Sequence, residues 1–239
     1  MKILGIDTSS LSTSVSVVED NKVICEYTVN TKKTHSQKLM VMIENMFKVS
    51  DINIDEIDLI AVCEGPGSFT GLRIAMATAK SIAHAKDIKI VAVNSLEILA
   101  GNINICEKKI CSILDAQRNQ VYFGKYEYKN NELVEIDKIG VTQIDELLNS
   151  LDSEWIMVGE AVYKYVDKIS EYKNLHIPNP SHLINRASCL CSIALNKYKN
   201  NLSIYNSQTA NLNYIRKSQA ELDYEKKNEG IYDKDRKND

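Results

Sequence analysis

The sequence predicts an α/β protein built as two lobes of similar plan, and three observations carry that prediction. An apolar run, Leu59-Ile-Ala-Val-Cys63, meets a turn that crowds Gly65, Pro66, Gly67 and Gly71 into seven residues, although the 239-residue chain has only nine Gly and three Pro. A helical pattern follows from about Leu72 to His84, and strand, Gly-rich turn and helix is how an α/β protein brings backbone N–H groups to a helix N-terminus. The chain opens on three strand-like runs, 3–6, 13–19 and 22–29, separated by the turn residues Asp7-Thr-Ser-Ser and Glu19-Asp-Asn21. Then the pattern restarts: Lys109-Ile-Cys-Ser-Ile-Leu-Asp115 is another strand ending in Asp, followed by Gln120–Tyr128, which alternates as a strand does.

The remaining elements follow in order. A helix is expected from about His35 to Val49, a strand over 58–63, a helix over 70–86 with Ser68 or Thr70 as its N-cap, a strand over 88–93 and a short helix over 95–101. In the second half, Trp155-Ile-Met-Val-Gly159 reads as a strand and turn, and 160–170 and 182–200 as helices. The lobes are therefore expected to span 1–103 and 104–221. From Arg216 the chain turns polar, and 222–239 is expected to be a disordered tail, too polar to bury a face.

Composition narrows the function classes. An apolar content of 44% supplies a core, and a formal net charge of −3 argues against a dedicated nucleic-acid binder while leaving room for a local basic patch. Six Cys occur without a C-x-x-C pair, and Cys63, Cys189 and Cys191 fall inside apolar patterns, so reduced thiols are expected rather than disulfides. The N-terminus begins a strand directly, without a signal peptide's apolar stretch, and no run approaches the ~18 apolar residues of a membrane span. A cytoplasmic protein with no membrane role is expected.

Several chemistries lack their residues. The Gly-rich turn is not a G-x-x-x-x-G-K-[ST] loop, since no Lys follows Gly71, nor is it G-x-G-x-x-G. A phosphate cradle and a plain tight turn both remain open for it. The four His, at 35, 84, 176 and 182, include no i, i+4 pair, so no metal site is expected. Ser68 lies in G-P-G-S-F rather than G-x-S-x-G, and no base accompanies it, so no catalytic residue is assigned. Arg73 falls in the first turns of a helix, where the macrodipole favours an acid, so another contact must hold it there.

The clearest functional signal from residue pattern lies in the helices 35–49 and 70–86. Leu39, Met42, Ile43 and Met46 follow i, i+3, i+4, i+7 spacing, and Met40, Phe47 and Val49 widen the arc to about half the helix, beyond the ~100° that one core face needs. A second buried side and a deeply buried helix both account for the surplus. The helix 70–86 carries Ala75, Ala77, Ala79, Ala83 and Ala85, small enough for close approach, and four of the six Met sit on these two helices, where adaptable side chains suit a contact surface.

The string Gly65-Pro-Gly-Ser-Phe-Thr-Gly-Leu-Arg-Ile74 resembles the signature of the TsaB (YeaZ) family, the dimerisation subunit of the bacterial machinery for tRNA threonylcarbamoyladenosine. Met1-Lys-Ile-Leu-Gly-Ile-Asp-Thr-Ser9, His35-Ser-Gln-Lys-Leu39, Ser95-Leu-Glu97, Leu114-Asp-Ala-Gln-Arg118 with Val121-Tyr122, Tyr214-Ile-Arg216 and Gln219-Ala-Glu221 resemble further family segments in the same order. Ala75 stands where the family usually has Gly, Gln117 where Arg is common, and Leu212 where a Pro is usual.

The resemblance implies the two-lobed fold shared by actin, sugar kinases and Hsp70, which is RNase H-like. It implies a non-catalytic scaffold that forms a heterodimer with the metal-bearing paralogue TsaD, is joined by the ATPase TsaE, forms a homodimer in isolation and meets tRNA only indirectly. The supported reaction would be threonylcarbamoyl transfer to N6 of adenosine 37 in tRNAs that read ANN codons. The contact surface it implies comprises His35, Leu39, Met42, Ile43 and Met46 with Leu72, Arg73, Met76, Ala79, Lys80 and Ala83. In this superfamily an Asp after the first strand commonly organises a Mg²⁺-nucleotide, so Asp7, Gly65, Gly67, Ser68 and Gly71 are the candidate cofactor residues. The expectation is no cofactor of the chain's own and at most weak ATP or ADP with Mg²⁺ at a subunit junction. At Asp7 the alternative is a turn-forming carboxylate that bonds nearby N–H groups. Two other functions stay in view: an independent ATPase or small-molecule kinase using Asp7 and the Gly65–Gly71 turn, and a peptidase, which would need a metal or nucleophile that the sequence lacks.

Overall fold

In the computed structural model, which describes residues 1–31, 33–103 and 106–213, two mixed sheets repeat one plan. The first has strand order β11-β5-β4-β1-β2-β3, built from β1 (Lys2–Asp7), β2 (Ser12–Glu19), β3 (Lys22–Asn30), β4 (Leu59–Gly65), β5 (Lys89–Asn94) and β11 (Ile204–Tyr205). The second has order β10-β9-β6-β7-β8, built from β6 (Lys109–Asp115), β7 (Gln120–Lys129), β8 (Glu132–Gln143), β9 (Trp155–Val158) and β10 (Leu175–His176). Each opens with an antiparallel meander and adds parallel strands on the other side of its first strand. Asp7 and Asp115 close the equivalent strands, as the restart of the sequence pattern predicts.

The central strands β1, β4 and β5 are apolar on both faces because both faces are covered. On one face α1 (His35–Ser50) and α2 (Phe69–Lys86) set Leu39, Met42, Ile43, Met46, Ala75, Met76 and Ala79 against Leu4, Ile6, Val15, Val17, Ile60 and Val62. On the other, α6 (Ala187–Lys199) sets Leu190, Cys191 and Ala194 against Ile3, Leu59, Ala61, Cys63, Val91 and Val93. In the second lobe α4 (Ile144–Asn149) and α5 (Ala161–Ser170) cover Cys111, Ile113 and Val121. Between the sheets, α3 (Ser95–Gly101) buries Leu96, Leu99 and Ala100 against Ile110, Leu114, Tyr126 and Val158, joining the lobes through one apolar contact.

The helix ends have local causes. Both α1 and α2 stop at an Asp in the left-handed region, Asp51 and Asp87, whose N–H groups close on Phe47 O and Ala83 O. Ser68 caps α2, its Oγ accepting from Gly71 N–H at 3.2 Å, which decides between the two caps the sequence offered.

The structure corrects two expectations. The second lobe does not hold all of 104–221: α6 and β11 return to the first sheet, because one face of that sheet would otherwise be bare. The helix expected over 182–200 begins at Ala187; Pro180–His182 form a separate turn of 3₁₀ helix, and Asn185 is held by bonds to the first lobe. The edge strand β8 and the short helix α4 are additions to the expected elements; β8 leaves Val134 and Ile136 exposed at the sheet edge. The expected tail at 222–239, with Tyr214–Arg216 and Gln219–Glu221, lies outside the described residues. Among the described residues no helix is long and apolar enough to cross a membrane.

Candidate functional site

The site the sequence points to is where the turn after β1 meets the Gly-rich turn after β4. Asp7 is buried, and its Oδ1 accepts from the N–H and the Oγ–H of Ser9, each at 2.7 Å. Its Oδ2 accepts from Asn185 Nδ2 at 2.9 Å, a bond that reaches across from the segment before α6. Burial pushes the Asp7 carboxyl above the ordinary carboxylate range, against the opposing pull of hydrogen bonds from Ser9, Asn185 and Cys63. The geometry is that of a turn-forming carboxylate with both oxygens engaged. Asp115 repeats it, accepting from Gln117 N–H at 3.0 Å, and also pairs with Lys164 at 3.0 Å.

The glycines are explained by what faces them. A Cβ on Gly67 would stand 2.1 Å from the Ser9 carbonyl oxygen, and one on Gly71 would stand 2.0 Å from that of Thr8. Gly67 also has φ +155°. The two turns are bonded face to face: Ser68 N–H donates to Ser9 O at 2.7 Å, and Thr8 Oγ1 donates to Gly71 O at 2.6 Å. Ser95 Oγ fixes the Pro66 carbonyl at 2.5 Å from behind. Close backbone approach is thus the local reason for the G-P-G-S-F-T-G spacing.

Several donors of this region are engaged within the chain. Besides Ser9 and Ser68, Ser12 N–H donates to Ser10 Oγ at 3.3 Å, and Leu11 N–H donates across the lobes to Glu160 Oε2 at 3.2 Å. A phosphate held by a turn requires donors aimed outward, and these four backbone donors are instead turned to acceptors of the chain itself.

The expected contact surface is redistributed. Leu39, Met42, Ile43 and Met46 on α1, and Leu72, Met76, Ala79 and Ala83 on α2, are buried in this chain's own core, Met46 completely at 0% exposure. They are corrected from partner residues to core residues: both helices turn this stripe to the first sheet. The surplus arc reaches solvent at Met40 (56% exposed) and Val49 (71%), whereas Phe47 packs half-buried on the core; Val41, outside that arc, is also exposed (55%). Arg73 is exposed on α2, its guanidinium stacked 3.8 Å from the Phe69 ring centroid, a contact that accounts for a cation in the first turns. Lys80 is half-buried and donates to Ala210 O at 3.1 Å. His35, at the start of α1, bonds Thr13 Oγ1 through Nδ1 at 2.8 Å. Sequence reasoning missed Asn185, Thr13 and Glu160; only the last carried a signal, a second Gly at a strand end, Gly159, with a helix start behind it. All six Cys are free thiols, with Cys63, Cys111 and Cys191 buried.

Two meander-plus-parallel sheets, each opening on a strand that ends in Asp, define an actin-like, RNase H-like α/β protein. YeaZ from Pseudomonas aeruginosa superposes with a TM-score of 0.78 at 23% identity, covering 89% of this chain and 99% of that one. A family model described as tRNA N6-adenosine threonylcarbamoyltransferase, TsaD, matches residues 22–229. The TsaB protein of Bacillus subtilis (strain 168), described as a tRNA threonylcarbamoyladenosine biosynthesis protein, is 33% identical over 195 residues, which is 77% of this chain and 85% of the relative. The TsaB protein of Escherichia coli (strain K12) is 27% identical over 66% of this chain and 71% of the relative. The chain belongs to the TsaB (YeaZ) family.

Proposed function

We propose that this chain acts in tRNA threonylcarbamoyladenosine biosynthesis as a scaffold that carries no chemistry of its own and binds a TsaD-type paralogue through the outer faces of α1 and α2. The observation that carries the reading is that α1, one face already spent on the core, leaves the apolar side chains Met40, Val41 and Val49 exposed. The same face would join two copies of this chain when the paralogue is absent. Threonylcarbamoyl transfer to N6 of adenosine 37 would then take place on the paralogue, with the ATPase TsaE joining the pair, tRNA meeting this chain only indirectly, and any ATP or ADP held at a subunit junction.

Light scattering coupled to size exclusion tests it, on the protein alone and mixed with the paralogue from the same organism. The expected result is a homodimer that exchanges into a 1:1 heterodimer, with both species lost in the double variant Met40→Lys, Val41→Lys while its circular dichroism stays native. A chain that ignores the paralogue, or a folded double variant that still assembles, overturns the reading.

A further inference from the structure

We infer that Glu160 is a built-in plug of the cleft between the lobes: its carboxylate holds the backbone donor of the β1–β2 turn that a nucleotide phosphate would need, and so keeps phosphate out. The inference is independent of the partner surface. Three features support it. The bond from Leu11 N–H to Glu160 Oε2, at 3.2 Å, joins positions 149 residues apart, from opposite lobes. Among the engaged donors of the turn, Ser9 bonds Asp7 and Ser12 bonds Ser10, both within the turn itself; Leu11 alone bonds an acceptor from the second lobe, so its acceptor can be removed without unmaking the turn. The surroundings are also negative: Asp7 and Asp115 both act electrostatically on Glu160, and Lys164, the cation nearby, is bonded to Asp115. Three carboxylates against one ammonium repel a phosphate that arrives without enough cation. Burial raises the Glu160 carboxyl first of all, and the two neighbouring carboxylates add to the rise against the Leu11 hydrogen bond.

The test uses the full chain and its Glu160→Ala and Glu160→Met variants. Titration calorimetry reads binding of inorganic phosphate and of Mg²⁺–ADP, and amide hydrogen exchange reads the Leu11 N–H. The wild-type chain should bind neither ligand saturably. Glu160→Ala should bind phosphate, with Leu11 exchange at least about tenfold faster than wild type and slowed again by the ligand. Wild-type binding as tight as the variant's, a folded Glu160→Ala with no gain in affinity, or binding that leaves Leu11 exchange untouched overturns the inference. Should Glu160→Ala lose its fold, Glu160→Met, which fills the same space without an acceptor, decides the matter the same way: phosphate affinity absent from wild type supports the plug, and a folded Glu160→Met variant with no gain in affinity overturns it.

Discussion

Ser68 donates its backbone N–H to the carbonyl oxygen of Ser9 at 2.7 Å, so the Gly-rich turn after β4 and the Asp turn after β1 form one bonded unit. The feature that makes this sequence recognisable is therefore first a packing feature. Its glycines let two backbones touch, and its serine both caps a helix and bonds the neighbouring turn.

Replacing Gly67 or Gly71 by Ala should accordingly destabilise the fold. The added Cβ would lie at 2.1 or 2.0 Å from a backbone oxygen that cannot rotate away. Overpacking of this kind costs about 1–3 kcal/mol, and Gly67 adds the strain of its positive φ. For a chain of this length that corresponds to a drop in melting temperature of roughly 2–12 °C. Thermal unfolding followed by circular dichroism reads it, and an unchanged midpoint in both variants would contradict the close approach.

Met46 and Met40 sit on one helix and should behave oppositely. Met46 is fully buried in the first core, so Met46→Ala should lose about 2–5 kcal/mol of stability, measured as a shift in urea midpoint. Met40 is 56% exposed, so Met40→Ala should stay within about 0.5 kcal/mol of wild type. Equal losses at the two positions would show that the helix face is wrongly assigned.

His35 makes stability depend on pH. Burial and the neighbouring Lys38 hold its ring below the ordinary histidine range, against weaker opposing pulls from Asp7 and the Ser10 backbone. The folded chain therefore resists a proton that the unfolded chain accepts. The contribution is complete above the unfolded value of about 6.5 and is lost as pH falls from there toward the folded value. Urea midpoints at about pH 7.5 and 5.5 should differ less in His35→Gln than in wild type. An equal pH difference in the two proteins would remove His35 as the cause.

Much of the architecture was legible because its signals are local. The restart at Lys109, the strands on either side of the Gly-rich turn and the starts of α1 and α2 rest on periodicity and turn chemistry within a few residues. The short β10 and β11 had no such signal, since two-residue strands are defined by partners far away in the chain. Asn185 was illegible for the same reason: nothing within its neighbours announces a bond to Asp7.

By itself, the sequence determined the two-lobed α/β plan, the family to which the chain belongs and the excess of apolar residues on α1. It did so because composition, spacing and turn residues are properties of contiguous chain. Only the tertiary structure decided that Leu39, Met42, Ile43 and Met46 face inward while Met40 and Val41 face out, that α6 returns to the first sheet, and that Glu160 reaches Leu11 from the other lobe. The physical reason is that a helical stripe fixes which residues lie side by side, whereas the neighbour that buries it, and the acceptor that meets a given N–H, depend on where distant segments come to rest.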